Sequence, residues 1–171
     1  MKRILLLSDT HSYFGQDYLK YVKECDEVWH AGDIGSLKIT HALTELAPLK
    51  AVYGNIDDKT IQNTFPKDNI FEVEGFTVWI THIGGYPGKY SKEVNEKLKT
   101  FVPDIFVCGH SHILRVMSDK KYNNMLCLNP GAAGMEGFHQ IRTMLRFNLD
   151  GKKITDMQAI ELGKRKMLTA E

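Results

Sequence analysis

The stretch RILLLSDTHS, residues 3–12, decides the fold. Ile4, Leu5, Leu6 and Leu7 form an unbroken apolar run, the pattern of a strand covered on both faces. Such a strand belongs to a parallel or mixed sheet with other layers on either side. The run stops at Ser8, and Asp9 and His11 follow with one residue between them. Ser8, Asp9 and Thr10 suit a turn through local hydrogen bonds. Asp9 and His11 also suit a metal ion, and the rest of the chain has to choose.

Working outward, the pattern alternates. Residues 17–25 place Tyr18, Leu19, Val22 and Cys25 at helical spacing. Residues 27–30 read as a short strand, 37–47 as a helix stopping before Pro48, and 49–53 as a third strand. This order predicts a parallel sheet built from βαβ units. The second half is richer in strands, at 69–73, 77–81, 104–108, 113–118, 125–128, 141–149 and 153–160. A helix over 91–101 has Ser91 as its N-cap. Glu74-Gly75-Phe76 and Asp150-Gly151 read as hairpin turns. The fold class is α/β, with two sheets and antiparallel strands late in the chain.

The chain has 171 residues, which suits one compact domain over 1–171. A net charge of +1 leaves no broad field for nucleic acid or an anionic membrane. No apolar run approaches the ~20 residues of a membrane span. The run behind Met1-Lys2-Arg3 is too short for a signal peptide. Cys25, Cys108 and Cys127 are odd in number and form no CxxC, so free thiols in a reducing cytoplasm are expected.

The informative feature is how the strands end. The first runs into Asp9 and His11, the second into Ala31-Gly32-Asp33, and the third into Gly54-Asn55. The strand at 77–81 runs into His82, and that at 104–108 into Gly109-His110-Ser111-His112. In open α/β sheets the carboxyl edge is where sites form. Asp9, His11, Asp33, Asn55, His82, His110 and His112 offer only oxygen and imidazole donors, a set suited to manganese, iron, zinc, nickel or cobalt. Seven donors are too many for one ion and fit two ions sharing a bridging carboxylate. Two divalent ions would outweigh two carboxylates and a bridging hydroxide. The positive remainder would draw in a phosphate oxygen and stabilise charge built on it.

The motifs DTH, GD, GN, a lone His after a strand, and GHSH resemble those of the calcineurin-like metallophosphoesterases in order and spacing. The short chain and NPGAAG at 129–134 are most similar to the small prokaryotic phosphodiesterase branch, which a eukaryotic retromer subunit also resembles. The resemblance runs from Met1 to about Gly134. It implies a four-layer α-β-β-α sandwich with two mixed sheets and a dinuclear site. One ion would take Asp9, His11, Asp33 and His112, and the other Asp33, Asn55, His82 and His110. Asp33, Asn55, His82 and His110 are the candidate catalytic residues. The implied activity is hydrolysis of small phosphodiesters by a metal-bridging hydroxide, with manganese the first choice of metal. A phosphomonoesterase, a nuclease and a non-catalytic scaffold of the same fold are the alternatives, and a homo-oligomer is left open.

Many family members carry a His directly after the Asn of GN, where this chain has Ile56. A leaving-group acid therefore does not carry over. Elsewhere, His30 reads as core packing ahead of a role supporting the neighbouring ligands, and His41 as a surface or packing residue. Asp57 and Asp58 read as caps of a short helix through Gln62. Residues 84–88 divide evenly between a substrate loop and a plain connection. Asn129-Pro130-Gly131 predicts a tight turn near the site. Arg115, His139 and Arg142 read as solvated, and Cys108 as buried.

Overall fold

A computed structural model describes residues 1–166. The first half contains β1 (Lys2–Leu7), α1 (Gln16–Val22), β2 (Glu27–His30), α2 (Leu37–Thr44), β3 (Leu49–Ala51) and α3 (Lys59–Thr64). Then come β4 (Asp68–Val73), β5 (Phe76–Thr81), β6 (Gly85–Tyr86), β7 (Lys89–Tyr90), α4 (Lys92–Leu98) and β8 (Ile105–Val107). The chain continues with β9 (Leu114–Asp119), β10 (Met125–Pro130), β11 (Ile141–Asp150) and β12 (Lys153–Lys164).

One sheet has the order β12-β11-β1-β2-β3 and the other β4-β5-β8-β10-β9. Both are mixed. In the first, β1, β2 and β3 are parallel and β11 and β12 antiparallel. In the second, β5, β8 and β10 are parallel between antiparallel edge strands β4 and β9.

Strand alternation builds the layers. Ile4 and Leu6 of β1 face inward, where Trp29, Phe147 and Leu149 meet Val78, Ile80, Ile105 and Val107 of the other sheet. Leu5 and Leu7 face outward, onto Tyr18, Leu19 and Val22 of α1 and Ile39 and Leu43 of α2. The second sheet turns Trp79 and Phe106 outward onto Val94 and Leu98 of α4. Three apolar seams between four layers give the α-β-β-α sandwich. Each fully buried Leu, Ile or Phe contributes about 1.5–3 kcal/mol of transfer free energy, so these seams dominate the fold's stability.

Helices α2, α3 and α4 begin where Ser36, Asp58 and Ser91 accept bonds from Lys38 N, Ile61 N and Val94 N. Asp57 does not share the cap of α3. Its carboxylate instead accepts from Ile34 N, Gly35 N and Gly54 N, and so ties the β2 and β3 ends together. Residues 84–88 are also more than a loop, because β6 and β7 form a short hairpin there.

Arg142 departs most from its solvated reading. It is 2% exposed, donates to the Ala133 carbonyl (2.8 Å) and Asp17 (2.7 Å), and stacks on Tyr13. Its place on β11 faces the β1–α1 connection, a neighbourhood that sequence spacing cannot reveal. Cys108 and Cys127 are buried free thiols and Cys25 is half-buried. Among the described residues, no helix is long and apolar enough to cross a membrane.

Candidate metal centre

The carboxyl ends of both sheets meet at one edge, stitched by backbone bonds. Asp9 N donates to Gly32 O (2.9 Å), His11 N to Asp33 O (3.0 Å), and Gly109 N to His82 O (3.0 Å). Asp9, His11, Asp33, His110 and His112 all have positive φ, between 44° and 69°. Non-glycine residues rarely adopt that conformation, and clusters of them mark functional sites. Each such residue reverses the chain sharply past its strand end and aims its side chain back into the shared edge.

All seven predicted donors come together there. Asp9, His11 and His112 form one cluster, and Asp33, His82 and His110 a second. Within the first, His112 Nε2 lies 3.1 Å and His11 Nε2 3.8 Å from Asp9 Oδ1. Asp33 Oδ2 stands between the clusters, 3.4 Å from His11 Nε2 and 3.2 Å from His82 Nε2. Asn55 Oδ1 lies 2.9 Å from His110 Nδ1.

The residues fit a metal on three grounds. The buried atoms His11 Nε2 and His82 Nε2 have no hydrogen-bond partner among the described residues. His82 Nδ1 donates to the Ala31 carbonyl at 2.7 Å, so in the neutral ring the lone pair sits on Nε2 and faces Asp33. Finally, donor atoms each ~2.1 Å from a common ion lie roughly 3.0–3.4 Å apart, which is the spacing around Asp33. Asp9 and Asp33 are themselves oriented, by Ser8 Oγ and His110 N on Asp9 Oδ2 and by Ile56 N on Asp33 Oδ1.

Without a cation, the carboxylates favour the protonated forms of His11 and His82. Burial works to raise the Asp9 and Asp33 pKa values, but their histidine neighbours outweigh it and hold both carboxyls well below the usual range. The Asp33 and Asp9 carboxylates raise His11 from 6.5 to about 10. The folded value exceeds the unfolded one, so His11 stabilises the metal-free protein fully below about pH 6.5 and less as pH rises toward 10. Melting temperatures in excess chelator are therefore expected to fall between those limits, more steeply than in His11→Asn. A flat wild-type profile would contradict the ion-pair geometry.

Residues around the donors also matter. His30 is fully buried and held near 4 by that burial. Rather than merely filling core, it contacts Thr10 Oγ1 (3.0 Å) and accepts from Gly32 N (3.2 Å), bridging two donor-bearing loops. Asn129 Nδ2 donates to Gly109 O and Ser111 Oγ, and Gly131 N donates to its Oδ1, so the predicted turn braces the GHSH segment. His139 is half-buried against His112, its Nδ1 3.1 Å from His112 Nδ1. Glu136 Oε2 lies 3.4 Å from His11 Nδ1. Nothing in the spacing of 131–140 pointed to these two contacts. Arg115 stacks on Tyr86.

A cavity of about 500 Å³ opens beside Asn55 and His82, lined further by Tyr53, Gln62, Ile83 and Ser91. Ile56 stands 46% exposed, with no proton to give.

A mixed two-sheet sandwich with a carboxylate and imidazole edge is the architecture of a metal-dependent phosphoester hydrolase. Residues 1–152 match the calcineurin-like phosphoesterase superfamily domain, and the chain belongs to that family. A probable metallophosphoesterase of Methanothermobacter thermautotrophicus is 28% identical over 165 residues, 92% of this chain and 91% of the relative. A structure described as a novel archaeal phosphodiesterase superposes with a TM-score of 0.72 at 21% identity, over 93% of this chain and 99% of its own. Zinc-complexed Vps29 of Entamoeba histolytica superposes with a TM-score of 0.70 at 16% identity, over 94% and 99%. At those identities the two structures speak for the fold alone.

Proposed function

We propose that this protein is a phosphodiesterase acting on small phosphodiesters at a centre for two divalent ions. Asp9, His11, Asp33 and His112 would hold one ion, and Asp33, Asn55, His82 and His110 the other, with manganese the first choice. The observation that carries this reading is the pair of buried, unpartnered atoms His11 Nε2 and His82 Nε2 aimed at one Asp33 oxygen. When bound, such ions polarise a phosphoryl oxygen and make water a better nucleophile.

The chain's own residues do the rest. Ala31 O and the loop bonds hold the imidazoles in register. Asn55, neutral and exposed at the cavity edge, adds an oxygen donor without adding negative charge. The cavity beside it suits one ester group of a small substrate. A complete donor set favours catalysis over the scaffold reading, and a near-neutral chain favours small diesters over long nucleic acid.

The test is hydrolysis of bis(p-nitrophenyl) phosphate and p-nitrophenyl phosphate by chelator-stripped protein given back manganese. The diester should turn over faster, and only with metal. Faster monoester turnover would make this a monoesterase. Metal binding without turnover of either ester would leave the scaffold.

Ile56 sets a second expectation. With no side-chain acid at that position, kcat should fall steeply as the leaving group changes from nitrophenoxide to an alkoxide. Similar kcat values for aryl and alkyl diesters would show that another group protonates the leaving oxygen.

A further inference from the structure

We infer that His139 is a positioning residue for the metal centre: it fixes the tautomer of His112 so that Nε2 is presented to the cation. The argument is one of hydrogen-bond direction. His139 Nε2 lies 2.9 Å from the Gly134 carbonyl, which can only accept, so that nitrogen carries the proton. In neutral His139 the other nitrogen, Nδ1, is then an acceptor. Its partner at 3.1 Å is His112 Nδ1, which must donate. His112 Nε2 is then the nitrogen left to present a lone pair. Because Asp9 Oδ1, 3.1 Å away, can only accept, that lone pair is in place when a cation stands between the two atoms, where a ligand to the first cluster belongs.

The relay closes on itself. Gly134 N donates to the Asp9 carbonyl at 3.0 Å, so the backbone that orients His139 is anchored to the residue whose side chain His112 faces. Arg165 holds the other end, its Nε donating to His139 O (2.9 Å) and its N–H to Gln140 O (2.9 Å). Gly137 makes room for the pair. It has φ +126°, and a Cβ there would lie 2.2 Å from His112 Nδ1 and 3.1 Å from His139 Nδ1. Partners of ligating imidazoles set tautomer and ring orientation in metal sites generally.

This inference rests on the reading that Asp9, His11 and His112 hold a cation, and not on which ester is cleaved. The test uses full-length protein with zinc. Long-range ¹⁵N–¹H imidazole spectra of the zinc-loaded wild type should show His112 protonated at Nδ1. In a chelator competition, H139F should weaken zinc binding by about 10–100-fold. H139Q should restore it, because the Gln carbonyl can accept from His112 while its amide donates to Gly134 O. Zinc-loaded wild type with His112 protonated at Nε2 would overturn the inference without any variant. So would H139F binding zinc as tightly as wild type. A wild type that binds no zinc or manganese would overturn the metal-centre reading itself.

Discussion

Asp33→Asn is expected to lower metal-supported diester hydrolysis by about 10³-fold, the equivalent of about 4 kcal/mol of transition-state stabilisation. Asp33 Oδ2 is the atom that faces one imidazole of each donor cluster, His11 at 3.4 Å and His82 at 3.2 Å. Asparagine has nearly the same shape, and its carbonyl can keep the bond from Ile56 N that Asp33 Oδ1 accepts at 3.1 Å. Its amide nitrogen, however, would aim protons at lone pairs that the site reserves for a cation. The two effects separate cleanly. In chelator the variant should melt lower than wild type, because it loses the carboxylate that pairs with His11 and His82, and the gap should narrow as pH rises toward 10. Added metal should raise the wild-type melting temperature and leave the variant's almost unmoved. Activity surviving the change would remove Asp33 from the mechanism.

Gly54→Ala should damage the centre without touching a donor. A Cβ at Gly54 would lie 2.1 Å from Asp33 Oδ1 and 2.3 Å from Asp33 N. Asp33 Oδ1 is held by the bond it accepts from Ile56 N at 3.1 Å, and Asp33 N is backbone in a segment fixed by the bond from His11 N to Asp33 O, while Gly54 itself is tied through its N to Asp57 Oδ2 at 2.8 Å. The β2 and β3 ends must therefore part, at a stability cost of about 1–3 kcal/mol. A displacement near 1 Å at Asp33 and Asn55 would cost about 10²-fold in kcat. Thermal melting and kcat measured together test this. A variant with wild-type melting and kcat would show that the two strand ends are not in close contact.

Much of this was legible from residue order alone. Apolar runs and their endings placed the parallel strands, because a strand buried on both faces reads as continuous hydrophobicity. The seven candidate donors were legible because each stands within four residues of the end of such a run. Helix ends were predicted three residues too long, at Val22, Thr44 and Leu98, where propensity continues past the point at which packing stops. Arg142, His139, Asp57 and His30 were read as simpler residues than they are. Each acts through a partner distant in sequence, such as Asp17 for Arg142 and His112 for His139, and single-residue chemistry carries no trace of that partner.

The sequence by itself determined which atoms are available at the carboxyl edge: two carboxylates, one amide and four imidazoles, each delivered by a strand end. That follows because strand burial and donor chemistry are local properties of the chain. Only the tertiary structure decided how those atoms are grouped, that Asp33 faces both clusters, and that Gly134 and His139 stand behind His112. Those depend on the two sheets packing through Trp29, Phe147 and Val78. They depend also on positive-φ turns whose strain only the completed fold can hold.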